Sequence, residues 1–320
     1  MKKLYFLVLV LTFFYGDYAK GQQISRTSQF VVNPYIINPA VAGTQNQIPL
    51  FLNYRTQWAG FTGAPTFINA TGHFQGPENS GFGAIISRDN MGGAITKTYL
   101  ELTGAYHIEL NNYDAVSFGL SVVGGQYVMD NSIFKVYDKD DPSLNGGVSE
   151  SVFNVDAKFG MMIYGVDYYF GFAVPNLFQT GIKLESPFSP ENYNARHYHI
   201  MGAYNYQINN DWDVQPSGIM RFTQMTPVQF DANIRFGYQQ TVWGGITYRH
   251  NDALAVNLGG MYENFYLGYS YDITTTRARV MSPHTHEIMV GYIIPGKRGV
   301  YQPRSTLGPP VIPRSRKAKK

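Results

Sequence analysis

Apolar and polar residues alternate with period 2 along much of this chain. In 228–238, Val228, Phe230, Ala232, Ile234, Phe236 and Tyr238 alternate with Gln229, Asp231, Asn233, Arg235 and Gly237. The same split recurs in 96–109, with Leu100, Leu102, Tyr106 and Ile108 set against Lys97, Glu101, Thr103, His107 and Glu109. In 113–128 one face carries Val116, Phe118, Leu120 and Val122, and the other Ala115, Ser117, Gly119 and Ser121. Period 2 marks strands, and about 9–11 tilted residues suffice for a strand to cross a bilayer. Beyond the N-terminus no run is apolar enough to cross as a helix. A soluble sandwich alternates in the same way, so the features around the strands must decide between the two.

Fourteen segments read as strands: about 48–57, 66–75, 80–88, 95–109, 113–128, 152–163, 166–174, 196–208, 213–223, 228–239, 242–250, 253–260, 264–271 and 286–294. An even count is what a single-chain bacterial barrel requires when both ends lie on one side. The connections then sort themselves. Those after odd strands include the long ones, 58–65, 129–151, 175–195 and 272–285, whereas those after even strands are short, as at 76–79, 209–211 and 261–263. Short periplasmic turns and long surface loops are the outer-membrane arrangement. The expectation is therefore an all-β transmembrane antiparallel barrel of about 14 strands with periplasmic termini, located in the bacterial outer membrane.

Composition sharpens this picture. The 320 residues include 25 Tyr, as expected if rings form girdles at two membrane interfaces. Lys2 and Lys3, an apolar run 4–14, and small residues at Ala19 and Gly21 read as a secretory signal over 1–21. There is no cysteine, which excludes disulfide staples, thiolate metal sites and a lipid-bearing cysteine. Of the 25 Lys and Arg, eight follow Glu287 (Lys297, Arg298, Arg304, Arg314, Arg316, Lys317, Lys319, Lys320) with no acid among them, leaving 17 bases against 22 acids before that point. The chain thus divides into 1–21, an N-terminal periplasmic or plug segment 22–47, a barrel 48–295, and a basic Pro-rich tail 296–320 that reads as solvated.

The polar face is predicted to carry Arg55, Glu101, Glu109, Asp156, Lys158, Asp231, Arg235 and Arg249. Rings of one sign mark ion-selective pores; mixed signs pair to fill an interior. Gly and Ser on the inner face of 115–125 leave room that either admits an N-terminal plug or lets the strands curve. His284-Thr285-His286-Glu287 has two imidazoles at i and i+2, a spacing suited to a metal, but on a strand Glu287 points away from His286, so the segment reads as a polar rim. His197 and His199 read as inward positions near a rim. Asp138, Asp140 and Asp141 lack the spacing of a calcium loop and read as a solvated acidic loop. Gly81-Phe82-Gly83 and Gly244-Gly245 sit within strands and read as bends or close-packing points. The sequence contains no nucleophile elbow, Walker loop or dinucleotide fingerprint. No catalytic, metal or cofactor site is expected, and nucleic acid is not an expected partner.

Residues 22–47 contain Asn33-Pro34 and Asn38-Pro39-Ala40-Val41-Ala42-Gly43, and each Asn-Pro pair favours a turn. Together with Asn53-Tyr54-Arg55-Thr56-Gln57-Trp58 and Gly63-Ala64-Pro65-Thr66, these pieces resemble the PorP/SprF family of type IX secretion system membrane proteins of Bacteroidota. Asp89-Asn90-Met91-Gly92, Tyr248-Arg249, Gly268-Tyr269-Ser270-Tyr271-Asp272 and His286-Glu287-Ile288 follow in family order. The resemblance implies structural roles for Asn38, Pro39, Ala40, Gly43, Arg55, Gln57, Trp58, Pro65, Asp89, Gly92, Arg249, Tyr269, Tyr271, Asp272, His286 and Glu287.

The resemblance also implies a noncatalytic outer-membrane component of type IX secretion or gliding, with periplasmic secretion components, a large surface adhesin and outer-membrane lipid as partners. On this hypothesis the long loops at 129–151 and 175–195 would meet the exported protein, while 22–47 and the basic tail would meet the periplasmic assembly or the cell wall. The alternative is a transporter of hydrophobic solutes similar to the long-chain fatty acid channels, which also combine fourteen strands with an asparagine-proline-alanine plug. The lumen discriminates, since a solute route needs a continuous apolar pocket.

Overall fold

The structure, a computed structural model, describes residues 25–111, 113–130, 132, 149–182, 192–224, 226–280, 282 and 284–296. Fourteen antiparallel strands form the wall: β1 (Ile48–Thr56), β2 (Thr66–Gln75), β3 (Ser80–Met91), β4 (Ile95–Glu109), β5 (Ala115–Asp130), β6 (Ser149–Tyr164), β7 (Tyr168–Val174), β8 (Tyr198–Tyr204, resumed at Tyr206–Gln207), β9 (Trp212–Thr223), β10 (Thr226–Tyr238), β11 (Val242–Arg249), β12 (Ala253–Tyr262), β13 (Phe265–Thr274) and β14 (His284–Ile294). Each strand pairs with its neighbours in sequence, and β1 pairs with β14 from Ile48↔Ile294 to Thr56↔His286. That last ladder closes the sheet. Closure leaves no unpaired edge, which is the condition for a sheet to stand in hydrocarbon. Among the described residues no helix is long and apolar enough to cross a membrane.

The alternation resolves into an outer apolar band and an inner polar one. Leu100, Leu102, Tyr106, Leu120, Val122, Ile234, Phe236, Ile246, Val256, Leu258 and Val290 are exposed on the outside. Their lattice neighbours Glu101, Thr103, Ser121, Asn233, Arg235, Thr247, Asn257 and Ser270 are buried inside. In water so broad an apolar surface would drive association; in a bilayer it is the lipid contact. Leu120→Arg, near the middle of β5, is accordingly expected to lower stability by roughly 2–4 kcal/mol, the cost of a cation near the bilayer midplane. Urea titration in lipid vesicles checks this.

The strand ends at the two rims differ. The strand ends joined by 76–79, 110–114, 165–167, 208–211, 239–241 and 263–264 lie at one end, while those joined by 57–65, 131–148, 175–197 and 275–283 lie at the other. We call these the short-turn and long-loop ends. Several strands run further than their alternation suggests, because ladder pairing continues past the apolar band; β5 and β6 pair as far as Asp130↔Ser149. A small hairpin of Gly181–Ile182 and Asn192–Tyr193 lies in the connection after β7. Glu109 departs from expectation: as the last residue of β4 it lies past the lumen and is exposed at the short-turn end. Readings of 1–21, of the basic tail beyond Gly296, and of Asp138, Asp140 and Asp141 fall outside the described residues.

Candidate functional site

The lumen is occupied by the chain's own N-terminal segment. Three short 3-10 turns, Gln29–Val31, Pro34–Ile36 and Pro39–Val41, carry it through the barrel. The two Asn-Pro pairs set the last two turns. Proline fixes its own φ for the start of a turn and keeps the preceding residue extended; Asn38 accordingly sits at φ −131°, ψ 117°. Asn38 then does two things with one amide. Its Oδ1 accepts from the Ala40 N–H at 2.9 Å, and its Nδ2 donates to the Met161 and Phe172 carbonyls at 3.1 and 3.3 Å. The turn is thereby capped and fastened to β6 and β7. Phe30, Val31, Val32, Tyr35, Ala40, Val41 and Ala42 are buried, packed with Met162, Met201, Ile219, Trp243, Met289 and Ile293 of the wall. Ser117 Oγ donates to the Ala40 carbonyl at 2.8 Å, and Lys158 Nζ to the Ile36 carbonyl at 2.8 Å. Tyr35 donates to Thr103 at 2.7 Å, and burial raises its phenol above the usual range.

Glycines in the wall make this approach possible. A Cβ at Gly160 would lie 2.0 Å from Asn38 Oδ1, and one at Gly119 would lie 2.4 Å from the Ala40 nitrogen. The room foreseen on the inner face of 115–125 is thus filled by the plug.

The start of the described segment is held by a lattice of charge near the long-loop end. Arg55 donates to Glu287 at 2.9 Å and to Asp272 at 2.7 Å, while Arg249 reaches Asp272 at 3.1 Å and Asp252 at 3.3 Å. Arg221 donates to Asp231 at 2.8 Å, and Arg26 to Asp252 at 2.8 Å. Four guanidinium groups meet four carboxylates, so the lattice is neutral. Burial lowers Arg26 to about 10, which leaves it charged at neutral pH. The plug supplies further hydrogen bonds. Ser28 N donates to Glu287 at 2.7 Å, Ser28 Oγ donates to Asp272 at 2.8 Å and accepts from Arg249 at 2.9 Å, and Thr27 Oγ1 donates to Glu287. Glu287 and Asp272 are completed by plug atoms, so wall and plug are parts of one network.

The motif residues separate into four places. Asn38, Pro39, Ala40 and Gly43 form the plug turn. Arg55, Arg249, Asp272 and Glu287 form the lattice, and Asp89 accepts from Ser25 at the plug's beginning. Gln57, Trp58, Pro65 and Gly92 shape long-loop connections: Gln57 N bonds the Pro65 carbonyl at 2.9 Å, Trp58 N bonds Thr285 Oγ1 at 3.1 Å, and Gly92 has φ +71°. Tyr269, Tyr271 and His286 face outward, with the Tyr269 hydroxyl 2.7 Å from His286 Nδ1. His286 and Glu287 therefore share no site, as strand parity requires, and among the described residues no acid or imidazole cluster fits a metal. Sequence reading missed Arg26, Thr27, Ser28, Arg221 and Asp252; Arg221 alone carried a signal, its inward parity on β9.

Above the plug, at the long-loop end, lies a cup of about 520 Å³. Ile36, Ile37 and Arg26 of the plug line it from below, and its wall runs from β2 through β10. One side carries Asp89, Lys97, Glu101, Asp156 and Lys158; the other carries His197, His199, Arg221 and Gln229, with Tyr99, Tyr127 and Phe222 between them.

A closed fourteen-stranded sheet with an apolar exterior and a polar lumen occupied by a plug is an outer-membrane β-barrel. A profile of the family described as "Type IX secretion system membrane protein PorP/SprF" matches residues 19–292. The chain belongs to that family, as a membrane protein of the outer membrane. No curated protein matches the chain. Among solved structures it is similar to a Pseudomonas aeruginosa FadL homologue (11% identity, 81% of this chain and 92% of that one, TM-score 0.48). It is also similar to the Pseudomonas putida toluene transporter TodX (10%, 87% and 95%, 0.45) and to the translocator domain of autotransporter NalP from Neisseria meningitidis (9%, 78% and 87%, 0.41). These likenesses concern the barrel fold alone.

Proposed function

We propose that the chain is a noncatalytic, sealed outer-membrane anchor of the type IX machinery, docking periplasmic components at its short-turn end and supporting export and surface attachment of a large adhesin at its long-loop end. The observation that carries this reading is the plug and its lattice. A lumen filled below the cup by the chain's own residues, and locked by buried ion pairs, suits a rigid platform better than a conduit. In this reading the short-turn end, where β1 begins and β14 ends, faces the periplasm, the side on which outer-membrane barrels carry their short turns. Residues 25–47 are largely enclosed by the barrel, so contact with periplasmic parts falls to the rim instead. That rim presents Glu78, Glu109, Asp114, Asp167, Asp211 and Glu263, and its described turns contain no Lys or Arg. One-signed charge of this kind speeds encounter with a basic partner and weakens with salt.

The hydrophobic-solute reading is less well supported. Such a route needs a continuous apolar pocket, whereas the cup is floored by the plug and walled by Asp89, Lys97, Glu101 and Lys158.

Crosslinking in native membranes, with an epitope in 129–151 followed by affinity capture and mass spectrometry, is expected to recover type IX periplasmic components or one very large surface protein. Recovery of the barrel alone overturns the docking reading. Truncation after Gly296 separates the basic tail from the rim: assembly that proceeds normally assigns docking to the rim alone.

A further inference from the structure

Charge is divided between the two ends of the barrel. The short-turn rim carries acids, whereas the long-loop rim beside β1 and β11–β14 carries the opposite sign. In the connections 57–65, 250–252 and 275–283 the charged side chains are Arg277, Arg279 and Asp252, and Asp252 turns inward to Arg26 and Arg249. Arg277 and Arg279 are exposed on the short turn Arg277–Val280, and among the described residues no carboxylate pairs with either.

Two imidazoles stand on the same rim. His284 and His286 share the outward face of β14, against Tyr269 and Tyr271 of β13; the Tyr271 ring centre lies 5.7 Å from that of His284 and 5.2 Å from that of His286. The Tyr269 hydroxyl lies 2.7 Å from His286 Nδ1, and the Tyr271 hydroxyl bonds His284 Nδ1. A phenol donates to an imidazole nitrogen more readily than the reverse, and the bond made at one ring nitrogen sets the proton on the other. Each Nε2 therefore carries a hydrogen, and no side chain among the described residues takes it. His250, the third outward imidazole, differs: Asn251 Nδ2 donates to its Nε2 at 3.0 Å.

The depth of these groups identifies what they meet. The outward column of β14 runs His284, His286, Ile288, Val290, Tyr292, Ile294, within a strand of 11 residues. At about 3.4 Å per residue and a tilt of about 35–45°, the column rises about 26 Å, close to the roughly 25 Å height of a barrel's apolar band. With Ile294 at one edge of the band, His284 stands at the other, where acyl chains give way to headgroups. Rings alone suffice for an aromatic girdle. Two guanidinium groups and two aligned N–H donors match a phosphate, whose oxygens accept and whose charge is opposite. A lipid phosphate is favoured over an acidic protein because Ile273, Ile288 and Val290, exposed directly below the donors, already offer a bed for acyl chains.

We propose that the exterior patch of Arg277, Arg279, His284 and His286 binds the headgroup phosphate of a membrane lipid whose acyl chains lie along β13 and β14. This stands apart from the docking reading, since it needs only that the long-loop end emerge at the membrane surface.

The test uses the full chain in detergent micelles and two probes with the same acyl chains, phosphatidic acid and the diacylglycerol that lacks its phosphate. Native mass spectrometry counts the lipid that the folded barrel retains. Phosphatidic acid is expected to be retained about tenfold better, the value of one charge-assisted hydrogen bond. Arg277→Gln with Arg279→Gln is expected to bring it down to the diacylglycerol level. His284→Phe with His286→Phe, which keeps rings beside Tyr269 and Tyr271 and removes the donors, is expected to lower it about fivefold, the value of one neutral hydrogen bond. Arg88 is an exposed cation on β3, away from the patch, and Arg88→Gln is expected to change nothing. Equal retention of the two probes overturns the proposal, as does an unchanged arginine or histidine pair. A loss with Arg88→Gln as large as with the arginine pair overturns it too, by marking general surface charge. Displacement of phosphatidic acid by millimolar inorganic phosphate would assign the donors to a free anion and sink the lipid assignment.

Discussion

Glu287→Leu is expected to lower stability by roughly 3–5 kcal/mol, the usual penalty for removing one partner of a buried ion pair. Glu287 accepts from Arg55, Asn53, Thr27 and the Ser28 amide, so its loss strands a guanidinium inside the wall and releases the beginning of the plug together. The temperature at which the folded barrel loses its compact mobility in detergent gels should fall sharply. The double variant Arg55→Met/Glu287→Leu is expected to recover part of the loss, since removing both charges of a buried pair is often neutral or stabilising. A double variant no better than the single one would show that the hydrogen bonds to Thr27 and Ser28 dominate. A single variant as stable as the parent would remove the lattice from the account of how the plug is held.

The architecture was legible because it rests on local signals. Parity along a strand fixes which residues face lipid, and turn lengths fix which end each connection occupies. Both survive errors of a few residues at strand ends, and all fourteen strands lie where alternation places them. Residues read as inward, such as Arg55, Asp156, Lys158 and Asp231, are inward; Glu109 is not, because parity says nothing about where the lumen stops. The plug was legible only in part. Asn38-Pro39 announces a turn, but which wall the turn meets depends on Gly119 and Gly160, which in sequence are indistinguishable from bends. The lattice was the least legible. Arg26 and Asp252 are 226 residues apart, and no periodicity links a plug residue to a turn between β11 and β12. The cup is harder still to read, since its floor and wall come from segments that share no pattern.

The three arrangements depend on one another. Closing the sheet places an inward stripe of charge in a confined space; confined charges must pair, and they pair through the N-terminal segment. The segment in turn fills the lumen and gives the cup a floor. A barrel built in this way holds its rims in fixed positions, as the proposed anchoring role requires, and its long-loop mouth becomes a recess instead of a passage.

Replacing Gly119 with leucine should reveal whether the plug seals the barrel. The position faces inward on β5, where an added Cβ would stand 2.4 Å from the Ala40 nitrogen and from the Pro39 carbonyl carbon. Backbone on both sides leaves no flexible side chain to yield. The wall is held by ladders on each side, from β4 to β6, whereas the plug turn is held by a few side-chain hydrogen bonds, those of Asn38 and Ser117 among them. Overpacking a tight contact commonly costs about 1–3 kcal/mol, and here the plug is the part able to move. The parent chain is expected to be electrically silent in planar bilayers, and Gly119→Leu to show steps of ion conductance as the Pro39–Val41 turn leaves its seat. A second pair of substitutions secures the interpretation. The chain has no cysteine, and Ser117 lies against the Ala40 carbonyl at 2.8 Å, so Ala40→Cys with Ser117→Cys gives a crosslink between plug and wall. Oxidation should silence the conductance of Gly119→Leu carrying both cysteines, and reduction should restore it. Conductance that ignores the redox state would mean that ions pass by a route other than the plug's seat.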